Sequence, residues 1–499
     1  MKNINLNKVF LLNSLAFILL ILFYYFISSH LIINSDSASS ILMAKDGAEG
    51  NFLLRGWYLS TQAYYFTDTI WLTILFKIFG FNKDLAFIYV GLTYALMVFI
   101  SFKLLGRKTL LGAAILMGVV ILPSTYQAYS SLVVNIHITT YTCALLSIYL
   151  AIKFSTNGRL RYLLTSMCIS IPVIYSDSMY LYVLVIPLLA ASCASVFFGS
   201  LSKVKAIWLV GLCIAIVIGG KLFGFVVSDV FHFHLPAPEA INNPKFQQED
   251  KILNNISLLF NGMSDYFGAM FYGHDIKSVN GVTGFFNFFI MILFVAMIAY
   301  CAYRSHKKDF AALLLSASAV IMLVAYIFSD LATDKASPRY VFFSLVSGSI
   351  LIGRTLTVSK KARNIFVALF LVCGITKALP LVDLKKNSEE NEYTALNTFL
   401  KNSGLKQGYS SFWYASSLTI FGDLNIVPVA FWEGAHNMKW LSKDDWYKEK
   451  RDFIIYDNQS EHKYGLIQFG RPDYELSYGD KVISVYKKGI ALESGSNSK

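Results

Sequence analysis

Long apolar stretches alternate with polar connections from residue 9 to residue 381, and most of these connections are short. A stretch of about 17–25 apolar residues is long enough to cross the hydrocarbon core of a bilayer as a helix. About eleven stretches have this length or nearly so: 9–33, 84–102, 109–125, 132–152, 162–176, 179–199, 206–227, 284–303, 310–328, 340–358 and 364–381. The pattern therefore predicts an α-helical polytopic membrane protein. The first stretch is too long for a signal peptide and is predicted to remain as a span.

The connections between these stretches alternate in charge. Basic residues concentrate in every second connection, where the only acidic residue is Asp309. The opposite connections, 126–131, 176–178 and 329–339, carry little positive charge. Because basic loops remain in the cytoplasm, the N-terminus is predicted to lie inside and the C-terminus outside.

Three segments on the predicted outer side are long enough to hold structure of their own. We name them the first long connection (34–83), the second long connection (228–283) and the C-terminal tail (383–499). Within the first, Ser37–Ala48 and Thr67–Gly80 are predicted to form short helices on the membrane surface. The helical bundle is thus expected to occupy residues 1–382, with both long connections as part of it.

The second long connection and the tail have different patterns. Prolines and amides in the second connection predict a loop with at most short helices. In the tail, a helix is predicted over Glu389–Leu400, and period-two alternation then predicts strands. The predicted strands cover 408–414, 426–429, 452–456 and 481–486. A small α/β domain is therefore expected, followed by a disordered end at Glu493–Lys499.

Composition supports a membrane protein and limits its chemistry. Of the 499 residues, 55% are hydrophobic, and the mean hydropathy is +0.52. The formal charge of +12 lies mainly in the predicted cytoplasmic loops, so nucleic acid is not an expected partner. All six cysteines fall within predicted spans, which predicts neither disulfides nor a cysteine metal site. No phosphate-binding glycine loop or zinc spacing is present, and no metal or cofactor is predicted.

Most ionisable residues that could perform chemistry lie on the predicted outer side. The candidates are Asp36, Lys45, Asp46 and Arg55 in the first long connection, His137, Asp177 and Lys221 near span ends, and Lys335, Arg339 and Tyr340 in the last short connection. The structural alternatives are a helix cap for Asp36 and Asp177, a hydrogen-bonded core residue for His137, and an interfacial anchor for Lys221 or Arg339. Their concentration on one side favours a site there.

This set suits transfer of a group from a lipid-linked phosphate. A carboxylate can take a proton from an acceptor hydroxyl, and the planar guanidinium of arginine matches phosphate oxygens. The smallest sufficient set is Asp36 as base, with Arg339 and either Lys335 or Lys221 on the phosphate.

Several sequence stretches resemble a known class of enzymes. They are SDSASSILMAKD, NFLLRGWYLSTQAYYFTDTIW, SDSMYLYVLVIPLL, SPRY and GYSSFWYASSLTI with NIVPV after it. Their order and spacing resemble bacterial GT-C polyprenyl-phosphate-dependent glycosyltransferases over most of the chain. Within that class, the size, topology and exported tail of the chain are similar to those of serotype-converting O-antigen glucosyltransferases.

The resemblance implies a GT-C-like bundle and assigns roles to particular residues. Asp36 matches the catalytic base of the first outer loop, and Arg339 matches a residue that holds lipid phosphate. Many relatives have a second acidic residue beside the base. Here serines flank Asp36, so Asp46 or Asp177 is the expected partner or replacement.

The resemblance also implies substrates and a location. The donor would be undecaprenyl-phosphate-linked sugar, most simply glucose. The acceptor would be the O-antigen of lipopolysaccharide or another envelope glycan. The enzyme would act on the periplasmic face of a bacterial inner membrane, among membrane lipids and beside companion proteins that make and flip the donor.

Other functions remain open from the sequence. A transporter or flippase for lipid-linked sugars would be expected to carry ionisable residues at mid-membrane depth, and the predicted spans carry few. An O-antigen polymerase or ligase would also act from outer loops, although a folded tail of this length is unusual for one. A non-catalytic envelope scaffold is the last alternative.

Overall fold

The computed structural model describes residues 6–106, 109–134, 136–230, 245–305, 309–384 and 392–492. Their contacts divide them into two compact units. The first unit comprises the described residues within Met1–Ser29, Ile88–Gly224 and Asn243–Leu384. The second comprises those within His30–Phe87, Phe225–Asn242 and Lys385–Lys499.

The described residues form mainly helices. In chain order these are α1 (Leu6–Ser29), α2 (Ser35–Ala48), α3 (Ile70–Phe79), α4 (Lys83–Leu105), α5 (Thr109–Leu116), α6 (Thr125–Ser131), α7 (Ile138–Asn157), α8 (Arg161–Ser176), α9 (Ile186–Phe197), α10 (Lys203–Phe225), α11 (Glu249–Phe267), α12 (Val279–Ser305), α13 (Phe310–Phe328), α14 (Phe342–Thr355), α15 (Lys360–Ala378), α16 (Glu392–Asn402), α17 (Phe412–Gly422) and α18 (Gln459–Phe469). The strands are β1 (Trp57–Tyr58), β2 (Gln407–Ser411), β3 (Asn425–Phe431), β4 (Ala435–Asn437), β5 (Ser442–Lys443), β6 (Arg451–Tyr456), β7 (Tyr474–Tyr478) and β8 (Lys481–Ile490).

Each apolar stretch predicted to cross a membrane contains a helix. Among the described residues, seven helices are long and apolar enough to cross, and the bent pair Leu110–Ile121 and Thr125–Ser131 makes up to eight. The chain is thus a multi-pass membrane protein. The stretches at α8, α9 and α14 form shorter helices, so the count of eleven spans stays a prediction.

The second long connection is not the loop that its composition suggested. Glu249–Phe267 forms a 19-residue helix with Glu249 and Asp250 in its first turn and Gly268 in the left-handed region at its end. The prediction was wrong because the prolines all precede this helix, and its own residues alternate apolar and polar positions at helical spacing. Residues 231–244, which contain those prolines, lie outside the described chain.

The other predicted elements are largely confirmed. The helices at Ser35–Ala48, Ile70–Phe79 and Glu392–Asn402 fall within two or three residues of their predicted bounds. One predicted strand, 408–414, ends at Ser411, and α17 begins at the next residue. The predicted disordered end, Glu493–Lys499, lies outside the described residues.

The tail folds around a six-stranded sheet in the order β4-β3-β2-β6-β8-β7. Strands β3, β2 and β6 run parallel, and the others pair antiparallel with their neighbours. One side of the sheet packs on α16 and α17 through residues such as Leu400, Leu418 and Phe453, and aromatic residues including Tyr409 and Tyr456 fill the other side. Both sides of the central strands are therefore buried.

The first long connection belongs to the same unit as the tail. Its strand β1 pairs antiparallel with β5, and its helix α2 packs on α17 and α3. The approach of α2 to α3 requires a glycine, because a Cβ atom at Gly47 would lie 2.8 Å from Thr73 Oγ1. Segments more than 300 residues apart in sequence thus form one core.

Candidate active-site residues

Asp36 lies in the first turn of α2. The helix begins where the Asn34 side chain accepts a hydrogen bond from the Ser37 backbone N–H at 2.9 Å. Ser35 and Ser37 on either side are buried, whereas Asp36 is exposed. The positive end of the helix dipole stabilises a carboxylate at this position. The local structure therefore presents the Asp36 carboxyl group to solvent on a fixed helix.

Helix α17 of the tail holds α2 in place. Ser39 Oγ and Ser416 Oγ are 2.8 Å apart, and Ser417 Oγ donates to the Ile33 carbonyl at 3.4 Å. Ala38 and Ser40 on the same helix are also fully buried. These small side chains let the two helices approach closely. The position of Asp36 consequently depends on the tail.

Asp46, at the other end of α2, is occupied by structural bonds. Its Oδ2 atom accepts from Trp57 Nε1 at 2.7 Å and from Asn51 Nδ2 at 2.6 Å. Its Oδ1 atom accepts from Lys443 Nζ at 2.9 Å, which joins the first long connection to the tail. These bonds favour a structural role for Asp46 over that of a base.

The two basic candidates near Asp46 lie at the surface of the same unit. The Lys45 ammonium is 3.9 Å from the Glu49 carboxylate and 5.0 Å from the centre of the Phe81 ring. The Arg55 side chain is exposed, while its backbone bonds the Asn51 side chain. Neither geometry marks a formed anion site.

The first unit contains a buried histidine–aspartate pair. His137 Nδ1 and Asp177 Oδ2 are 2.7 Å apart, and Thr140 Oγ1 donates to the same oxygen at 2.6 Å. The other carboxylate oxygen accepts the Met179 backbone N–H at 3.0 Å. Asp177 is fully buried in the turn after α8, and His137 is 6% exposed. Asp177 therefore fixes the orientation of the His137 ring.

The electrostatics of Asp177 fit that role. Burial alone would raise the pKa of its carboxyl group, but the facing His137 ring and the three hydrogen bonds lower it by more. The pKa of Asp177 thus lies below its ordinary value, and the group is an anion in the folded protein. A weakly basic carboxylate with both oxygens bonded suits a positioning residue better than a general base.

Tyr340 and Arg339 lie beside this pair. The Tyr340 ring centre is 5.4 Å from that of His137. Arg339 Nη2 donates to Tyr340 Oη at 3.1 Å, and the guanidinium lies 4.9 Å from the Tyr340 ring centre. Both residues are half-buried in the helical turn Ser337–Val341, which Pro338 helps to initiate. Four sequence-predicted candidates, Asp177, His137, Tyr340 and Arg339, are therefore brought together.

Lys335 lies on the loop before this turn. Its side chain is exposed, and the backbone of the loop is held by Tyr126 Oη, which donates to the Ala336 carbonyl at 3.2 Å. Burial raises the pKa of the Asp265 carboxyl group on α11, and the positive charge of Lys335 partly lowers it. An acidic neighbour makes Lys335 a weaker phosphate ligand than Arg339.

Lys221 does not join these residues. It lies on an exposed side of α10 and makes no hydrogen bond, ion pair or ring contact with a described residue. Its placement within a candidate span fits a lysine that reaches the membrane surface along its own stem.

Lys377 is a buried lysine of the first unit that was not predicted from the sequence, and its hydrogen bonds connect distant segments of that unit. Lys377 Nζ donates to the Val119 carbonyl at 2.9 Å, to Gln127 Oε1 at 3.1 Å and to the Tyr266 carbonyl at 3.2 Å. Two of these acceptors, the Val119 carbonyl and Gln127 Oε1, lie on the two sides of a 77° bend between the helical segments Leu110–Ile121 and Thr125–Ser131. A lysine within an otherwise apolar stretch was the available signal.

The described residues hold no group of three or more His, Cys, Asp or Glu side chains placed to bind a metal ion. Asp36 belongs to the second unit, whereas His137, Asp177, Arg339 and Tyr340 belong to the first. The two groups of candidates therefore belong to different units.

Comparison with solved structures reveals the fold of this chain. The crystal structure of ArnT from Cupriavidus metallidurans bound to undecaprenyl phosphate matches 94% of this chain and 97% of its own, with a TM-score of 0.59 and 9% identity. The apo structure of the same protein matches the same shares with a TM-score of 0.61 and 10% identity. No family model and no curated relative matches the sequence. The predicted GT-C-like fold, with a bundle and a small α/β domain, is confirmed.

Proposed function

We propose that this protein is a membrane glycosyltransferase that uses a polyprenyl-phosphate-linked sugar as donor. The observation that carries the proposal is the match of nearly the whole chain to a protein solved with undecaprenyl phosphate bound. The exposed carboxylate of Asp36 and the half-buried guanidinium of Arg339 supply the two chemical functions that such a transfer needs. The finer proposal is glucose as the donor sugar and O-antigen or another envelope glycan as the acceptor.

The proposed reaction needs one base. Asp36 takes the proton of an acceptor hydroxyl, and the oxygen attacks C1 of the donor sugar. The bond from C1 to the phosphate oxygen breaks, and that oxygen keeps the electron pair. Lipid phosphate is already a good leaving group, so no general acid is required. The charge alternation of the loops supports a periplasmic site in the inner membrane of a bacterium.

The proposed phosphate ligand is Arg339, with Tyr340 beside it. Tyr340 restricts the guanidinium through a hydrogen bond and ring contact, so less side-chain freedom is lost when phosphate binds. The neighbouring His137 ring, fixed by Asp177, offers a further polar group on the same unit.

The first experiment is sugar transfer by membranes that contain Asp36→Asn. The donor is radiolabelled undecaprenyl-phosphate glucose, and the acceptor is purified lipopolysaccharide. We expect the variant to lose transfer by about 10²–10⁴-fold, because the amide cannot accept the hydroxyl proton. Glu49→Gln is the matched control: it removes an exposed carboxylate from the end of the same helix and should transfer normally.

The outcomes separate the reaction from the assignment of its base. Equal transfer by wild type and Asp36→Asn would keep the enzyme and remove Asp36 as its base. If wild type transfers nothing from glucose, a panel of other polyprenyl-phosphate sugars follows. Failure with the whole panel would reject the transferase proposal in favour of a transporter or scaffold.

A further inference from the structure

The tail contains a crevice at one edge of its sheet that the proposed reaction does not use. Strands β2, β3 and β6 are parallel, so their carboxyl ends meet at one edge. From β2 the chain passes to β3 on one side, and β6 later pairs on the other side. Open α/β sheets bind ligands outside the carboxyl ends of their strands at such a reversal. We call this place the carboxyl-edge crevice; Ser410 and Ser411 end β2 there, and Asp457 follows β6.

Two buried serine hydroxyls at the crevice have no hydrogen-bond partner. Ser410 is fully buried and Ser411 is 8% exposed, and neither Oγ atom is bonded. Tyr409 pairs with Ile454, so Ser410 lies level with Ile455 on the side of the sheet where Asp457 follows. Ser411 precedes α17 but makes no capping bond with its side chain. A buried hydroxyl is costly without a partner, which points to a ligand that supplies one.

Carboxylates surround a single buried ammonium at the same edge of the sheet. Lys481 Nζ lies 3.2 Å from Glu392 and 3.6 Å from both Asp457 and Asp480. Three negative charges against one positive charge leave the crevice acidic, so a phosphate group would be repelled. The described carboxylates do not converge as a metal site. Carboxylate oxygens with free lone pairs accept hydrogen bonds from neutral hydroxyls instead.

Two exposed tryptophans lie at the same carboxyl edge of the sheet. Trp413 lies in the first turn of α17 and is 63% exposed, and Trp432 follows β3 and is 60% exposed. Trp432 is held rigid, because its ring stacks on His436 at 4.7 Å with 12° between the planes. His436 Nε2 also bonds the Trp432 carbonyl at 2.9 Å. Ordered, exposed indoles offer apolar faces that fit the C–H faces of a sugar ring.

We propose that the carboxyl-edge crevice binds a neutral sugar unit. A sugar ring supplies hydroxyls that both donate to carboxylates and accept from serines, together with an apolar face for an indole. This combination matches the unbonded serines, the acidic rim and the exposed tryptophans. The identity of the sugar rests on the proposed function, under which it belongs to the acceptor glycan. The tail would then hold the acceptor as well as the helix that carries Asp36.

Saturation-transfer NMR on the full-length protein in lipid nanodiscs tests this site. The probes are the methyl glycosides of glucose, galactose, N-acetylglucosamine and rhamnose, and no sugar-headed detergent is present to compete. We expect at least one glycoside to bind wild type. Asp457→Asn and Trp413→Ala should weaken that binding about fivefold or more, through a lost acceptor charge and a lost stacking surface. Ser410→Ala, which adds no volume, should weaken it as well.

The control is Asp445→Asn, which removes an exposed carboxylate before the opposite end of β6 and should bind as wild type does. No binding of any probe by wild type, or unchanged binding by the three crevice variants, would overturn the inference. Asp36→Asn should keep glycoside binding while it loses transfer. Crevice-dependent binding without any transfer by wild type would retain the sugar site and reject the transferase proposal alone.

Discussion

At the scale of single residues, the His137–Asp177 pair illustrates how burial and charge divide roles between carboxylates. Asp177 is fully buried and accepts three hydrogen bonds, whereas Asp36 is exposed in the first turn of a helix. A base must exchange protons with a substrate, which requires access. Asp177 has none, so its proposed role is to fix the orientation of His137.

The pH dependence of stability tests this role of Asp177. Its pKa is lower in the folded protein than in the unfolded chain, where the ordinary value is about 4. Its charge therefore stabilises the fold above pH 4, and this contribution is lost as the pH falls below that value. We expect Asp177→Asn to lower the thermal midpoint at pH 6, with a difference from wild type that shrinks toward pH 3.

The thermal midpoints are measured by differential scanning fluorimetry in detergent across that range. Asp250→Asn is the control, because it removes an exposed carboxylate from the start of α11. A difference between wild type and Asp177→Asn that stays constant with pH would show that the charge of Asp177 is not what stabilises the pair.

The proposed role of Arg339 in binding phosphate can be tested with a variant that keeps the positive charge but changes the shape of the side chain. Arg339→Lys keeps the charge but loses both the planar fork and the bond to Tyr340. We expect the KM for the lipid-linked donor to rise about tenfold in Arg339→Lys and more in Arg339→Ala, since each lost charged bond weakens binding by about tenfold. Arg161→Ala, at an exposed arginine, should leave KM unchanged. Normal KM values in both Arg339 variants would place the phosphate elsewhere.

At the scale of elements, the packing of α2 on α17 connects the tail to the proposed base. Serines and an alanine form the contact face of α2, and Ser416 meets Ser39 at hydrogen-bond distance. No space remains there for a longer side chain, because both serines are fully buried. A change on α17 should therefore move Asp36 without touching it.

Ser416→Leu and Ser416→Ala separate these effects. The leucine overpacks the contact and is expected to cost about 1–3 kcal/mol locally and to reduce transfer strongly. Ser416→Ala removes only the hydrogen bond between the Ser39 and Ser416 hydroxyl groups, which contributes about 1 kcal/mol. This variant should transfer sugar nearly normally. Transfer rates and limited proteolysis of the 30–87 region report the two effects. Normal transfer by Ser416→Leu would show that α2 does not depend on this contact.

The elements also show what the sequence could and could not predict. Runs of apolar residues were sufficient to place the helices of the bundle and most strands, because burial in lipid or in a core imposes those patterns. The helix α11 was missed because prolines outside it dominated the composition of its segment. The site residues Arg339, Tyr340 and His137 were predicted singly, but their contacts depend on folding of distant segments.

At the scale of the whole molecule, the chain passes from its first unit to its second three times. Residues 30–87 leave the first unit near its beginning, and residues 385–499 leave it near its end. The second unit therefore forms only after the intervening helices have been synthesised. Its hydrogen bonds between distant segments, such as Lys443 with Asp46 and Ser417 with Ile33, can form only when both segments are present. Cutting the chain after the last membrane helix thus differs from removing an independent domain.

Truncation after Leu384 tests this interdependence. We expect the shortened chain to lose transfer entirely and to become sensitive to protease within residues 30–87, because α2 loses α17 and Asp46 loses Lys443. Truncation after Leu492 is the matched control and removes only residues 493–499, so it should behave as full-length protein does. Protease resistance of residues 30–87 in the first truncation would mean that the first long connection folds without the tail. Asp36 would then owe its position to the first long connection alone, and a defect in Ser416→Leu would need a different explanation.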